Sequence, residues 1–222
     1  MLLSRRQMIE AGAAAGALAA MSSPLLAAVA DTERMGLDRL PARPRVALDP
    51  VIDPRMVARA RASFDRHRAS LDHIDVVGIV DFAQASSEPR FYLLDTNSGR
   101  VSRHLVAHGR GSDPDHTGFL QRFSNQPGSE ASSNGAYVTS DFYPGHYGRS
   151  MRVRGLDPSN SNAESRAIVV HSAWYAEPNV LAANDGRLGR SEGCFALSYS
   201  SLQEVLARLG PGRFLYAERL EA

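Results

Sequence analysis

The feature that most constrains the fold lies between Ile74 and Ala107, where apolar residues come in runs of strand length punctuated by turn chemistry. Ile74-Asp75-Val76-Val77-Gly78-Ile79-Val80-Asp81-Phe82 and Arg90-Phe91-Tyr92-Leu93-Leu94-Asp95 are rich in β-branched and aromatic residues. Thr96-Asn97-Ser98-Gly99 joins the second run to a third over 100–107. Such side chains suit a pleated, half-buried surface and short polar turns bring neighbouring strands back antiparallel, so this stretch reads as a β-meander.

Strand texture returns over 136–140, 150–154, 167–172 and 213–217, with Tyr143-Pro144-Gly145-His146-Tyr147-Gly148 as a tight aromatic turn between the first two. Two helices flank this β region. Asp53-Pro54 offers an N-cap and a first-turn proline to a helix with Met56, Val57, Ala60 and Phe64 on one face, ending near Ser70 and leaving its arginines and His67 as a solvated face. The second helix runs over 199–209. Residues 109–134 show no sustained period and are dense in Gly, Ser, Asp and Asn, the pattern of a long functional or mobile loop. The expected class is mainly β with flanking helices.

The first thirty residues form a separate unit. Ser4-Arg5-Arg6-Gln7-Met8 is a basic start with twin arginines, an Ala/Gly-rich apolar run over 11–20 follows, and Ala28-Val29-Ala30 has the small-x-small pattern of a cleavage site. The apolar run is short and broken by Gly12 and Gly16, so it reads as a removable export signal of the twin-arginine type, and not as a membrane anchor. Residues 31–52, rich in Arg and Pro, read as a linker or arm, and 53–222 as one catalytic-size domain. The periplasm is the expected destination. A net charge of +1, with basic residues scattered among acidic ones, excludes a nucleic-acid stripe.

Cys194 is the only cysteine, so no intrachain disulfide can form. It sits in Gly189-Arg190-Ser191-Glu192-Gly193-Cys194-Phe195-Ala196-Leu197, between a flexible loop and an apolar run. A lone thiol in an oxidising compartment is either a nucleophile or a small buried hydrophobe. Ala167-Ile168-Val169-Val170-His171-Ser172 delivers an imidazole at the end of a strand, which supplies the second part of a cysteine nucleophile and its base. His104 and His108 share a strand face at i, i+4, but with no third ligand nearby they read as hydrogen-bonded histidines, and neither metal nor cofactor is called for.

The order strand-His171-Ser172, loop, Gly-Arg-Ser-x-Gly-Cys-x-Ala, helix and closing strand resembles the L,D-transpeptidase catalytic domain, the YkuD-like β-sandwich, and is most similar to the murein L,D-transpeptidase branch. Ala107-His108-Gly109, Phe123-Ser124-Asn125, Pro127-Gly128-Ser129, Ser132-Ser133 and Gly148-Arg149-Ser150-Met151-Arg152 carry the same likeness. Two positions depart from it: Glu192 stands where the commoner pattern has a histidine, and Ala196 where it has Asn or Arg.

The resemblance implies an exported acyltransferase acting on peptidoglycan stem peptides, with Cys194 as nucleophile, His171 as its base and the Ser172 backbone carbonyl orienting the imidazole. Transfer to the amine of a neighbouring stem would give 3-3 or 1-3 cross-links. Hydrolysis at the same site, or a non-catalytic wall-binding module, are the alternatives. Gly193 allows a close turn, so that backbone N–H groups around Gly193-Cys194 can serve as an oxyanion hole. Arg190 is either a contact for a stem-peptide carboxylate or half of a loop salt bridge. Ser191 and Glu192 are further substrate-side candidates, and Tyr147, Trp174 and Tyr175 form either a cleft or part of the core. Charge logic leads one to expect a thiolate–imidazolium pair, with the thiol titrating below its free value.

Overall fold

The computed structural model describes residues 52–221. The expected export signal and nearly all of the expected arm lie outside them. Among the described residues no helix is long and apolar enough to cross a membrane.

Eight strands form one mixed sheet: β1 (Val76–Asp81), β2 (Phe91–Asp95), β3 (Val101–His104), β4 (Gly135–Gly145), β5 (Gly148–Gly155), β6 (Val169–Ser172), β7 (Phe195–Leu197) and β8 (Phe214–Glu218). Their order is β3-β2-β1-β8-β4-β5-β6-β7. The first three make the meander read from the sequence, with Ile79 opposite Tyr92 and Tyr92 opposite Arg103. The closing strand β8 inserts between β1, to which it is parallel, and β4, to which it is antiparallel. The other parallel pair is β6 with β7, in the register Val170 to Phe195 and His171 to Ala196.

After β3 the chain crosses to the far edge, where the Ala107 N–H donates to the Ala196 carbonyl at 2.8 Å and Gly109 bridges Ser191. The two edges of the sheet are thereby tied together. Phe82, at the end of β1, stacks on Phe195 of β7 with centroids 6.5 Å apart. The sheet has curled until strands far apart in its order share one interior, the arrangement a sandwich requires.

The central strands are apolar on both faces because both faces are covered. Val76, Val80, Leu93, Tyr137, Leu215 and their neighbours face one cluster, capped by a helix Tyr199–Leu209 through Leu202, Val205, Leu206 and Leu209. Val77, Ile79, Tyr92, Val138, Phe214 and Tyr216 face the other, capped by a helix Pro54–His67 (α1) through Met56 and Ala60. Each fully buried Leu or Phe contributes about 1.5–3 kcal/mol through its apolar surface. Asp53 caps α1 by accepting the Arg55 N–H at 2.8 Å, and Ile52, the last residue of the expected arm, is buried in the same cluster as Met56.

Some expectations need correction. His67 is not part of a solvated face, since its Nε2 lies 2.9 Å from Asp157 Oδ1. β3 ends at His104, so His108 lies beyond the strand and the two histidines do different things: His104 contacts Ser102 and Glu204, whereas His108 is deeply buried. The aromatic turn is the tip of a much longer hairpin, β4 and β5, shifted in register between Thr139 and Phe142. The 173–193 segment holds a 3-10 turn Trp174–Ala176 and a short helix α2 (Val180–Ala183), which makes Tyr199–Leu209 α3.

Candidate active site

His171 and Cys194 are placed by the β6–β7 register. Val170 and Phe195, paired with one another, both face the large core cluster. Alternation then sends His171, Ala196 and Cys194 to the opposite face, with Cys194 one residue before β7 begins. That face is floored by small residues, Ala107, Ala173, Ala176 and Ala196.

The imidazole is held in one orientation. His171 Nδ1 lies 2.8 Å from its neighbour's carbonyl, Ser172 O, and a carbonyl only accepts, so Nδ1 carries the proton and Nε2 keeps a lone pair. Ser172 does more than its expected part, because its hydroxyl donates to the Tyr147 carbonyl at 3.0 Å. That bond fastens the hairpin tip, and Tyr147 stacks on His171 with ring centroids 5.5 Å apart. Arg149 over Phe142 and Arg152 over Tyr143, at 4.0 and 4.3 Å, stiffen the same hairpin.

Cys194 is half-buried and its thiol donates to the Ala167 carbonyl, 3.6 Å away, and not to His171. Burial pushes the thiol above its ordinary value and Glu192 adds to the rise, against a Val169 N–H hydrogen bond and the Arg166 cation. Burial likewise lowers His171, opposed by its bond to Ser172. Low polarity thus disfavours both charges, so burial works against the expected thiolate–imidazolium pair and favours the neutral forms of thiol and imidazole.

Gly193 is required where it stands. Its φ is +111°, and a Cβ would lie 2.6 Å from the Ala131 carbonyl oxygen and 2.8 Å from Ile168 Cδ1. Its N–H, however, donates to Ser191 Oγ at 3.1 Å and so is not free for an oxyanion. The Cys194 N–H has no acceptor among the described residues and is the remaining donor.

Ser191, a substrate-side candidate, is engaged within its own loop. It is buried, and its hydroxyl donates to the Cys194 carbonyl at 2.8 Å while accepting from Gly193, which knots the turn around the cysteine. Arg190 does not form the alternative loop salt bridge: Nη1 donates to the backbone carbonyls of Asp113 and Pro114, tying the long loop, and no carboxylate lies within ion-pair distance of it among the described residues. Glu192 is exposed and pairs with Arg110 at 3.0 Å, while Arg110 also grips Glu130. Trp174 is 71% exposed on its 3-10 turn, its ring against Tyr175 at 5.8 Å and against neither His171 nor Cys194. Tyr175 packs on Gly189, where a Cβ would meet its side chain at 2.5 Å.

Sequence reasoning missed Arg166, whose guanidinium donates to the Ser124 and Ala131 carbonyls and whose charge reaches Cys194. Nothing in its local pattern marks it. It also missed Arg110, which only the folded loop brings to Glu192.

A curled mixed sheet with a cysteine at one strand's start and a tautomer-fixed histidine on the adjacent strand holds the minimum parts of a cysteine nucleophile and its base. The family model described as L,D-transpeptidase catalytic domain matches residues 49–217, and the chain belongs to that family, a class of acyltransferases. Among solved structures the chain is similar to an L,D-transpeptidase from Mycobacterium smegmatis, at 15% identity and TM-score 0.40 over 65% of this chain and 58% of that one. It is similar also to one from Mycobacterium tuberculosis H37Rv, at 16% and 0.40 over 65% and 57%, and to one from Xylanimonas cellulosilytica, at 14% and 0.36 over 71% and 68%. The chain thus spans less than two thirds of either mycobacterial protein. No curated protein matches it.

Proposed function

We propose that this chain is an exported cysteine L,D-transpeptidase that acts on peptidoglycan stem peptides in the periplasm through a Cys194 thioester. The observation that carries the reading is the His171 ring, fixed by Ser172 O with Nε2 unprotonated, on the same face as Cys194. The twin arginines and Ala28-Val29-Ala30 support the export part.

In this reading the stem-peptide carbonyl that follows an L-centre enters between the two side chains. As Sγ attacks the carbonyl carbon, the thiol proton passes to His171 Nε2, and the new oxyanion takes the Cys194 N–H. Collapse breaks the C–N bond, and the departing amine of the D-residue takes the proton back from the imidazolium. The thioester that remains is attacked by the amine of a neighbouring stem. His171 accepts that amine's proton and returns it to sulfur as the C–S bond breaks, leaving a 3-3 or 1-3 cross-link and the free thiol. A neutral thiol beside a neutral base suits this order of events, because charge develops only when the substrate has displaced water.

The test is to incubate the chain lacking residues 1–30 with purified sacculi and identify the muropeptides by mass. Cross-linked dimers from wild type and none from a folded Cys194→Ala variant are expected. Dimer formation by Cys194→Ala at the wild-type rate would overturn the mechanism, and trimmed monomers without dimers would make the protein a hydrolase.

A further inference from the structure

Behind the cysteine loop lies a row of three polar side chains that the mechanism above does not use. Arg90, His108 and Asp113 are all at most 1% exposed. Arg90 donates through Nη1 to the Gln84 carbonyl at 2.7 Å and through Nε and Nη2 to the Val106 carbonyl at 3.1 and 3.0 Å. Its Nη2 also donates to His108 Nδ1 at 2.7 Å. Arginine has only donors, so His108 Nδ1 accepts, and the ring proton on Nε2 points to Asp113 Oδ2, 3.3 Å away. Asp113 is completed by the Thr117 N–H and hydroxyl at 2.8 and 3.0 Å and the Gly118 N–H at 2.8 Å.

A cation and an anion are thus joined inside the protein through one neutral imidazole. Burial, with the Arg90 charge added, pushes His108 down to about 3, so it keeps this state at any working pH. Taking both ends of such a row out of water is costly, and apolar side chains of equal volume would serve mere packing better. What the row has that apolar side chains lack is direction.

The backbone of the row is where the cysteine loop is attached. His108 O accepts the Ser191 N–H at 2.9 Å, and the Arg110 N–H donates back to Ser191 O at 2.8 Å. Ser132 Oγ joins the Gly109 N–H, at 3.0 Å, to the Gly193 carbonyl, at 3.4 Å. The Asp113 carbonyl is one of the two that hold Arg190. On the other side His108 lies edge-on to Phe82, which stacks on Phe195, the residue after the nucleophile.

We infer that Arg90, His108 and Asp113 form a positioning unit which, through the His108 carbonyl and Ser191, sets where the Cys194 N–H and Sγ stand relative to a bound carbonyl. The inference rests on Cys194 being the nucleophile. His108 touches no substrate; it is a positioning residue, acting through Ser191.

Two reactions of Cys194 separate this role from general support. Acylation by a carbapenem needs sulfur, base and oxyanion donor in register, whereas alkylation by iodoacetamide needs only an accessible, ionisable thiol. His108→Ala should slow acylation by roughly a hundredfold while leaving alkylation within a few-fold of wild type, since about 1 Å of misplacement costs that much in an oriented reaction. His108→Asn, whose carbonyl can still accept from Arg90, should recover part of the loss. Ser191→Ala should reproduce the defect, and the double variant should be little slower than the worse single one, because both act along one path.

Acylation of His108→Ala at the wild-type rate, equal slowing of both reactions, or losses that multiply in the double variant would each overturn the inference. If His108→Ala does not fold, amide exchange in the wild type decides. The Ser191 amide should exchange as slowly as those of β6, and exchange as fast as at the exposed Asp115 or Gly128 would refute a fixed loop. Failure of wild type itself to be acylated would count against the proposed function and not against the positioning unit.

Discussion

The ring of Tyr147 lies over that of His171, the planes 14° from parallel, at the tip of a hairpin that the Ser172 hydroxyl fastens to the strand carrying the histidine. The stack holds the imidazole from the side that its hydrogen bond does not. Aromatic pairs of this kind contribute about 0.5–1.5 kcal/mol beyond area burial, which corresponds to roughly twofold to thirteenfold in rate if the ring must be re-oriented in the transition state. Tyr147→Ala should therefore lose about that much carbapenem acylation rate, and Tyr147→Phe almost none. A large loss in Tyr147→Phe would move the role from the ring to the hydroxyl.

The opposite shifts at Cys194 and His171 give a pH dependence with a definite sign. His171, lowered from its ordinary 6.5, stays a free base as pH falls through that value, so the acidic limb of turnover should lie below pH 6.5. Cys194, raised from 9.0, should be alkylated by iodoacetamide with a midpoint above that value, and Glu192→Gln should move the midpoint down by removing a carboxylate that helps raise it. Stability follows by linkage. Below pH 6.5 the unfolded chain protonates its histidine before the folded one does, so His171 contributes a loss of stability on acidification. Above pH 9.0 the unfolded thiol ionises first, so Cys194 contributes a loss on alkalinisation. Melting temperature against pH checks both limbs. Fast alkylation at mildly acidic pH would restore the ion-pair picture.

Gly193→Ala should be damaging out of proportion to its size. The added Cβ meets a carbonyl oxygen at 2.6 Å in a backbone conformation that L-residues rarely adopt. A loss of about 1–3 kcal/mol of stability is expected from the strain. Acylation should fall further than that figure implies, because the residue that must move is bonded directly to the proposed nucleophile. Denaturant unfolding and acylation rates on the same preparation make the comparison; a variant of wild-type stability and activity would show that the turn can relax.

Export is tested separately. Arg5→Lys together with Arg6→Lys should leave the protein in the cytoplasm with its first thirty residues attached, as expected of a twin-arginine signal. Cell fractionation and intact mass decide, and normal processing of the double variant would point to the general secretory route.

Much of this architecture is written locally in the chain. The β-branched runs at Val76 and Phe91, the turn at Thr96-Asn97-Ser98-Gly99 and the Asp53-Pro54 helix start all act within a few residues, where propensity and capping decide. Cys194 and His171 stood out as candidates for a related reason: a unique thiol and a strand-end imidazole are chemically distinctive wherever they lie. The partners of the neighbouring polar residues were not legible. Ser191 bonds within its own loop, and Arg190 holds carbonyls 76 and 77 residues away in the chain, partners that no local pattern announces.

By itself, then, the sequence determined the class of fold and the family and singled out the two candidate reacting groups, since each depends on residue type and short-range pattern. Only the tertiary structure decided the direction in which burial shifts those groups, the donor left for an oxyanion, and the buried row behind the loop. Each of these depends on which polar atoms meet after the sheet has curled and tied its edges at Ala107 and Ala196, and on how much water that closure removes.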